Sequence, residues 1–323
     1  PDQCNYKCIM CECFSPYSGA LEERVKLGIP KRKMDINLIK KVLDESVGSP
    51  LKEIIPSTMG EPLMYEDFER IIDLCKEYKI KLNLTTNGSF PKKGVEYWAK
   101  ILVPVTSDIK ISWTGSTKET QEKIMLGSNW ENGLKNLQSF IKIRDEHENN
   151  GGNRCRVTLQ LTFLESNISE LKDIAKLAIS LGVDRVKGHH LWAHFDEIKQ
   201  LSMRRDNESI LKWNEAVRDT KRYVIKNKLS NGNYLILENI EELDIENNRN
   251  VTGECPFLAK EAWINTEGVF SPCCAPNEVR KSLGYFGNLY NSTMEEIWNS
   301  SEYDNLVQSY KSKTLCKNCL MRK

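Results

Sequence analysis

Hydrophobic residues along most of the chain follow two alternating patterns, one typical of amphipathic helices and one typical of short buried strands. The helical spacing predicts helices over residues 36–46, 65–78, 94–102, 131–148, 168–181 and 207–228. Short apolar runs predict strands over residues 51–56, 81–86, 108–113, 156–164 and 185–192. Because strands and helices take turns, right-handed crossovers should join the strands into one parallel sheet, so the predicted fold class is α/β. We also expect one further strand ahead of the first residue.

The pattern changes after the last long helix. Residues 231–254 are a polar bridge with a single short apolar run. Residues 263–270 are predicted to form a β-hairpin with its turn at Glu267-Gly268, and a helix is predicted over residues 293–299. We therefore predict three parts: a core over residues 1–230, the bridge over 231–254, and a small C-terminal domain over 255–323.

Composition narrows the class of protein. The 323 residues contain 46 Lys and Arg against 45 Asp and Glu, a net charge of +1, which does not indicate a nucleic-acid or membrane surface. No apolar run approaches the roughly 20 residues of a membrane-spanning helix. The 11 cysteines cluster toward the two ends of a chain long enough to build a core without disulfides. We therefore expect a reduced, cytoplasmic protein whose cysteines bind metal.

Three of these cysteines, Cys4, Cys8 and Cys11, form a CxxxCxxC pattern near the start of the chain. Three thiolates on one short loop can hold three irons of a 4Fe–4S cubane and leave the fourth iron without a protein ligand. Zinc sites favour paired CxxC spacings, so a zinc site is the less favoured alternative. The spacing predicts a reactive cluster with an open iron.

Polar or turn residues follow three consecutive predicted strands at their carboxyl ends, where parallel sheets bind ligands. They are Gly60, Glu61 and Pro62, then Thr86 and Asn87, then Ser112. In the first group, glycine permits close approach of the backbone, proline fixes the bend, and a carboxylate suits an ammonium group. These strand ends are therefore candidate ligand-binding positions, although each group alone could be an ordinary turn.

The last two predicted strands end in Glu165 and in the pair His189-His190. Adjacent strand residues point to opposite faces, so at most one of the two histidines faces the interior. We select His190 and Glu165 as candidate catalytic residues, in the role of substrate contact or base. A purely structural hydrogen-bonding role is the alternative for a single histidine.

Four further cysteines, Cys255, Cys273, Cys316 and Cys319, surround the predicted hairpin and end in a CxxC pair. Four thiolates would fill every iron of one cluster, while a Cys4 zinc site is the alternative that spacing alone leaves open. Cys274 could replace Cys273 as a ligand. It could instead be a free thiol near the active site, and we include it among the candidate catalytic residues.

These motifs together resemble the radical S-adenosylmethionine (SAM) superfamily, with one departure: Met10 stands where the family usually has an aromatic residue. The resemblance implies a partial (β/α)6 barrel whose open iron chelates SAM. It also implies that Gly60, Glu61 and Pro62 contact the amino group of SAM, and that Thr86, Asn87 and Ser112 lie near the rest of it. The tail resembles the SPASM region, or its short twitch form, which implies an auxiliary 4Fe–4S cluster. Within the superfamily, the layout is similar to the butirosin-pathway dehydrogenase that oxidises 2-deoxy-scyllo-inosamine.

The resemblance implies a 5′-deoxyadenosyl radical that abstracts hydrogen from an unactivated carbon. We expect oxidation to a ketone or epimerisation of a polar small molecule, of the sugar or aminocyclitol kind. The alternative is modification of a peptide or protein, as in sactipeptide or sulfatase maturation. A scaffold without enzymatic activity is a third class. An electron donor such as flavodoxin or ferredoxin is the expected partner, and neither nucleic acid nor membrane is.

Overall fold

The computed structural model describes residues 2–56, 60–246, 253–275, 277–317, 319 and 321–322. Its main sheet has six parallel strands whose spatial order follows the sequence. They are β1 (Glu53–Ile54), β2 (Lys81–Thr86), β3 (Thr106–Ser112), β4 (Arg156–Phe163), β5 (Arg185–His190) and β6 (Ile236–Glu238). An antiparallel hairpin follows, made of β7 (Trp263–Ile264) and β8 (Phe270–Ser271). The predicted α/β fold and the C-terminal hairpin are therefore confirmed.

Helices precede the main sheet and connect its strands. They are α1 (Ala20–Lys26), α2 (Ile36–Glu45), α3 (Phe68–Glu77), α4 (Gly94–Leu102), α5 (Lys118–Ile124), α6 (Trp130–Asn149), α7 (Leu171–Leu181) and α8 (Asn207–Val224). The C-terminal part adds α9 (Asn277–Arg280), α10 (Met294–Trp298), α11 (Ser301–Ser309) and α12 (Thr314–Lys317). Helix α4 has the predicted bounds, whereas α1 and α5 were not predicted. No helix within the described ranges is long and apolar enough to cross a bilayer.

The sixth strand of the sheet comes from the segment predicted to be a bridge. Strand β6 pairs in parallel with β5, with Ile236 opposite Arg185 and Glu238 opposite Lys187. The chain divides into two compact units, Pro1–Lys31 with Lys52–Ile245 and Arg32–Leu51 with Glu246–Lys323. The first unit therefore extends beyond the predicted boundary at residue 230.

Helix α2 also lies outside the predicted boundaries, because it belongs to the C-terminal unit. The Lys41 ammonium in α2 donates hydrogen bonds to the carbonyl oxygens of Leu289 (2.7 Å) and Ser292 (3.0 Å). Leu38 of the same helix is buried in a cluster with Phe270 and Ile297. Helix α2 thus forms part of the core of the C-terminal unit.

The two faces of the main sheet differ in polarity. One face is apolar and buried, and Phe163 of β4 contacts Trp213 of α8 there, with 4.6 Å between ring centroids. We call the opposite side the polar face, because most of the strand residues on it are polar. Its members include Asn83, Asp108, Lys110, Ser112, Thr158, Gln160, Thr162, Arg185, Lys187, His189 and Glu238. Parallel sheets are usually apolar on both faces, so this polarity indicates a face built to meet a ligand.

Candidate active site

Backbone hydrogen bonds hold the N-terminal cysteine loop against the end of α5. Ile9 donates its N–H to the carbonyl oxygen of Ile124 (3.0 Å). Within the loop, Cys11 N–H donates to the Cys8 carbonyl (3.0 Å), and the Ser15 hydroxyl donates to the Ile9 carbonyl (2.8 Å). These contacts give the loop a defined conformation, which fixes the relative placement of its three thiols.

The environment of these thiols fits a bound cluster. The backbone N–H groups of Tyr6 and Phe14 donate to the Sγ atoms of Cys4 and Cys11, each at 3.4 Å, and such bonds are one means of tuning iron–sulfur clusters. Burial raises the pKa of all three thiols, and the proximity of the other two raises that of Cys8 further. Coordination reverses this effect, because a thiol bound to a metal is deprotonated.

The geometry suits a cluster whose ligands bind different irons. Across the described ranges, no three His, Cys, Asp or Glu side chains stand close enough to share a single metal ion. The thiolates of a cubane do not converge on one ion, because each binds its own iron. The loop therefore remains suited to the predicted cluster.

Glu61 is the central polar residue next to this loop. Its buried carboxylate accepts hydrogen bonds from the Thr86 hydroxyl (2.6 Å), the Asn87 backbone N–H (2.7 Å) and the Leu63 backbone N–H (3.2 Å). Burial raises the pKa of Glu61 to about 6, although the hydrogen bonds, led by that of Thr86, oppose the rise. A carboxylate has about four acceptor positions, so three donors leave one for a ligand such as an ammonium group.

Asn87 connects the end of β2 to the cysteine loop. Its side-chain amide donates to Asn5 Oδ1 at 2.9 Å and lies 3.9 Å from Cys4 Sγ. The turn continues through Gly88, whose φ is +75° and where an added Cβ would lie 2.8 Å from the Ile111 side chain. The residues predicted to bind SAM at this strand end thus lie together, beside the cysteine loop.

Ser112 ends β3 on the polar face, opposite Gln160 of β4 in the strand register. The polar face also carries a network of charges around Arg185, the first residue of β5. The Arg185 guanidinium pairs with Asp108 and with Glu238, and Glu238 also accepts from Lys187 at 2.6 Å. The polar face therefore combines hydrogen-bonding groups with charged groups of both signs.

The structure does not favour the predicted catalytic role of His190, because this residue lies on the apolar face. Its ring lies 5.5 Å from the Phe163 ring and 4.6 Å from the Trp213 ring, measured between centroids. Burial, followed by the nearby Arg204, lowers the pKa of His190 to about 3. A ring packed between two aromatic side chains cannot reach a ligand on the polar face.

His189 lies on the polar face instead. Its ring nitrogens lie 3.4 Å from the Gln160 amide nitrogen and 3.4 Å from the Thr162 hydroxyl. The ring is exposed to the space over this face, yet protein surrounds it closely enough that burial, with the nearby Lys187, lowers its pKa. A neutral imidazole in this position can accept a proton or a hydrogen bond.

Glu165 is held in ion pairs rather than left available as a base. Its carboxylate lies 3.0 Å from Lys212 and 2.8 Å from Arg205, and it accepts a hydrogen bond from the Ser209 hydroxyl. Lys212, with further help from Arg205, lowers the pKa of Glu165. The contacts tie the loop after β4 to α8, so the structure does not favour the predicted catalytic role.

Three cysteines of the C-terminal unit, Cys255, Cys273 and Cys316, pack against the same buried cluster of hydrophobic residues. Burial, followed by the nearby Cys273, Cys319 and Cys255, raises the pKa of Cys316 to about 11. Binding to a metal cluster would reverse this effect, because a metal-bound thiol is deprotonated. Backbone N–H groups again donate to sulfur, at 3.4 Å for both Cys255 and Cys273.

Cys274 forms a thiol–thiol hydrogen bond with Cys273, which lowers the pKa of Cys273 and raises that of Cys274. Both the ligand role and the free-thiol role of Cys274 remain predictions.

The sequence reasoning missed most of the polar face, although a signal was present. In β3, β4 and β5, polar residues recur at every second position between apolar ones. The period of two assigns all of them to one face. In β5, every second residue from Arg185 is Lys187 and then His189. This pattern puts His189 on the polar face and His190 on the opposite face.

Comparison with known protein families agrees with this geometry. Residues 1–178 match the model of the radical SAM superfamily, and residues 255–320 match SPASM, an iron–sulfur cluster-binding domain. The chain therefore belongs to the radical SAM superfamily, and it carries a SPASM domain. Such an enzyme uses a 4Fe–4S cluster with SAM, and the SPASM domain implies auxiliary iron–sulfur binding.

A curated relative from Danio rerio is the S-adenosyl-L-methionine-dependent tRNA 4-demethylwyosine synthase TYW1. It is 30% identical over 139 residues, which make up 42% of this chain and 17% of the relative. The match thus spans less than a fifth of that protein.

Two solved structures share the fold over nearly the whole chain. Streptococcus suis SuiB bound to S-adenosylmethionine aligns with a TM-score of 0.66 and 16% identity, covering 98% of this chain and 69% of SuiB. The enzyme anSMEcpe with bound AdoMet aligns with a TM-score of 0.65 and 14% identity. This alignment covers 98% of this chain and 85% of the anSMEcpe chain. At these identities the likeness is one of fold.

BtrN in complex with AdoMet and 2-DOIA aligns at a TM-score of only 0.45, with 16% identity. The alignment covers 99% of this chain and 89% of BtrN, and we draw no argument from it.

Proposed function

We propose that this radical SAM enzyme oxidises or epimerises a polar small molecule, of the sugar or aminocyclitol kind, held over the polar face. The observation that carries the proposal is the polarity of that face, where Gln160, Thr162 and His189 offer hydrogen bonds beside charged residues. Hydroxyl and amino groups need such partners when they leave water. When bound, a 4Fe–4S cluster and SAM would supply the radical chemistry needed to remove a hydrogen atom from such a substrate.

The residues of the chain have separate tasks in this proposal. Glu61 and Asn87 hold the end of β2 against the cysteine loop, and the remaining acceptor position of Glu61 is available to the ammonium group of SAM. His189 contacts a substrate hydroxyl and accepts its proton if the product is a ketone. Positioning of the reacting C–H group against the radical is the main contribution of the protein.

Peptide or protein modification is the second candidate. SuiB has been solved with the precursor peptide SuiA and anSMEcpe with the Cp18Cys peptide, and both align with this chain at a TM-score of 0.64. At 15% and 14% identity these alignments concern the fold. They make a peptide the appropriate competing substrate in a test.

The test uses the full chain, reconstituted anaerobically with iron and sulfide and reduced with dithionite. A panel of sugars and aminocyclitols and a panel of short peptides are each incubated with the enzyme and SAM in D2O. We expect a polar small molecule to stimulate 5′-deoxyadenosine formation and to lose two hydrogens or to gain one deuterium in mass spectra. Stimulation by peptides alone, with a modified peptide as product, would establish the second candidate instead.

An electron donor completes the proposed cycle, because each SAM cleavage consumes one electron. We propose a flavodoxin or ferredoxin in this role. The test compares SAM cleavage supported by a reduced flavodoxin with that supported by dithionite. Cleavage with dithionite and none with any protein donor in the panel would contradict this part of the proposal.

A further inference from the structure

The charged residues of the polar face are not all paired with one another. The Arg185 guanidinium bridges Asp108 and Glu238, and Lys187 shares Glu238 at 2.6 Å. The Thr158 hydroxyl donates to the second oxygen of Asp108 at 2.8 Å. Both of these carboxylates are therefore already occupied by donors from neighbouring strands.

Lys110 differs from Arg185 and Lys187 in its partners. Its ammonium donates to the side-chain oxygen of Asn83, a neutral partner, and it forms no ion pair with any residue that the structure describes. The amide nitrogen of Asn83 in turn donates to Glu53 at 2.9 Å, so Asn83 separates the Glu53 carboxylate from the Lys110 ammonium. An ammonium has three N–H donors, and Asn83 accepts from one.

The surroundings of Lys110 also favour an anion beside its ammonium group. The side chain is half-buried, and burial lowers its pKa. Lys187 and Arg185 lower the pKa further, while Asp108 and Glu53 oppose them. A negatively charged group placed here would reduce the repulsion between Lys110 and the two other cations.

We propose that Lys110 and Lys187, with Gln160 on the strand between theirs, form a subsite for an anionic group of the substrate, a carboxylate or a phosphate. The subsite lies on one face of three neighbouring strands. Gln160 of β4 is opposite Lys187 of β5, and Lys110 of β3 is opposite Thr158, two residues before Gln160 on the same face. Lys187 is 26% exposed at its side chain, so solutes can reach it. The proposal rests on the proposed function and restricts its substrate to polar small molecules that carry such a group.

The experiment measures anion binding without turnover. The reconstituted full chain, without reductant, is unfolded by heat in rising concentrations of inorganic phosphate or acetate, with chloride balancing the ionic strength. We expect one of the two probes to raise the unfolding temperature of the wild-type protein. A response to phosphate identifies a phosphate substrate, and a response to acetate alone identifies a carboxylate.

Three variants locate the response. Lys110→Met and Lys110→Gln remove the charge, and each should weaken the apparent anion affinity roughly tenfold or more, the usual effect of losing a hydrogen bond to a charged group. Lys142→Met is the matched control, because Lys142 lies on α6 with its side chain 77% exposed. It should respond to the anion as the wild-type protein does.

Each contrary result overturns the subsite. The first is that neither anion raises the unfolding temperature of the wild-type protein. The second is that both Lys110 variants respond as strongly as the wild-type protein. The third is that saturating SAM removes the rise in unfolding temperature. The last would show that the anion occupies the position of the SAM carboxylate. A failed product assay would contradict the proposed function without affecting these binding results.

Discussion

At the scale of single residues, Glu61 links SAM binding to pH. Burial raises the pKa of Glu61 from 4.5 to about 6, so the carboxyl group is protonated below that value and ionised above it. Only the ionised form can pair with the ammonium group of SAM. We therefore expect SAM affinity to rise as pH increases through about 6, and Glu61→Gln to abolish this rise and weaken binding roughly tenfold.

Calorimetric titration of the reconstituted enzyme with SAM across this pH range checks the prediction. Glu69→Gln is the control, because Glu69 is an exposed carboxylate that pairs with Lys93. The pH dependence of stability provides an independent check on the SAM-free protein, because a shifted pKa links proton binding to folding. Since the folded-state pKa of Glu61 is raised, its contribution should make the free energy of unfolding fall as pH rises from 4.5 to about 6. A SAM affinity of Glu61→Gln equal to that of the wild type at every pH would exclude the contact.

The two adjacent histidines offer a matched pair of substitutions. His189→Gln should leave the unfolding temperature and substrate-free SAM cleavage unchanged, while product formation falls, because His189 faces the ligand side with Gln160 and Thr162. His190→Gln should lower the unfolding temperature, because its ring packs between Phe163 and Trp213. Thermal unfolding and product analysis of both variants check this. Full product formation by His189→Gln would remove His189 from the substrate site.

The residue scale also shows what sequence reasoning could reach. The cysteine positions and the Glu61, Thr86 and Asn87 group depend on local spacing and on strand ends, and the structure brings each group together. Glu165 could not be judged in the same way. Its partner Lys212 lies 47 positions along the chain on another element, and no local pattern reveals such an ion pair.

At the scale of elements, Gly188 controls how β5 packs on its apolar side. A Cβ added there would lie 2.2 Å from the Phe163 ring, closer than any side chain tolerates. Gly188→Ala should therefore destabilise the protein by about 1–3 kcal/mol, the usual cost of overpacking a core. Denaturant unfolding of the variant measures this.

The control for that experiment is Gly133→Ala in α6. An added Cβ at Gly133 would lie an ordinary 3.7 Å from Trp113, so this variant should gain up to about 1 kcal/mol from helix propensity. Equal stability of Gly188→Ala and the wild-type protein would show that Phe163 moves without cost.

Elements differed in how well the sequence predicted them. Long amphipathic helices such as α4 and α7 were found close to their predicted positions, because their apolar stripe repeats over several turns. Strand β6 has only three residues and a position defined by pairing with β5, which lies outside its own sequence. Helix α2 had a clear amphipathic pattern. The residues it packs against lie far away in the sequence, so the pattern did not show to which unit the helix belongs.

At the scale of the whole molecule, the central question is whether each cysteine group binds its own cluster. The thiols of Cys4, Cys8 and Cys11 belong to one compact unit, and those near Cys316 belong to the other. The two sites therefore draw on separate sets of ligands. Removing the cysteines of one site should therefore leave the other site able to bind its cluster.

Iron content tests this independence directly. The reconstituted wild-type protein should hold about eight irons in two cubanes, and replacing Cys4, Cys8 and Cys11 together with Ala should leave about four. Cys319→Ala should keep 5′-deoxyadenosine formation, because the catalytic thiols are untouched, yet it should fail to form ketone if the auxiliary cluster accepts the substrate electron. Iron and zinc analysis beside product analysis checks both statements. About four irons with one zinc in the wild-type protein would refute electron transfer to the C-terminal site, because zinc has no redox chemistry there.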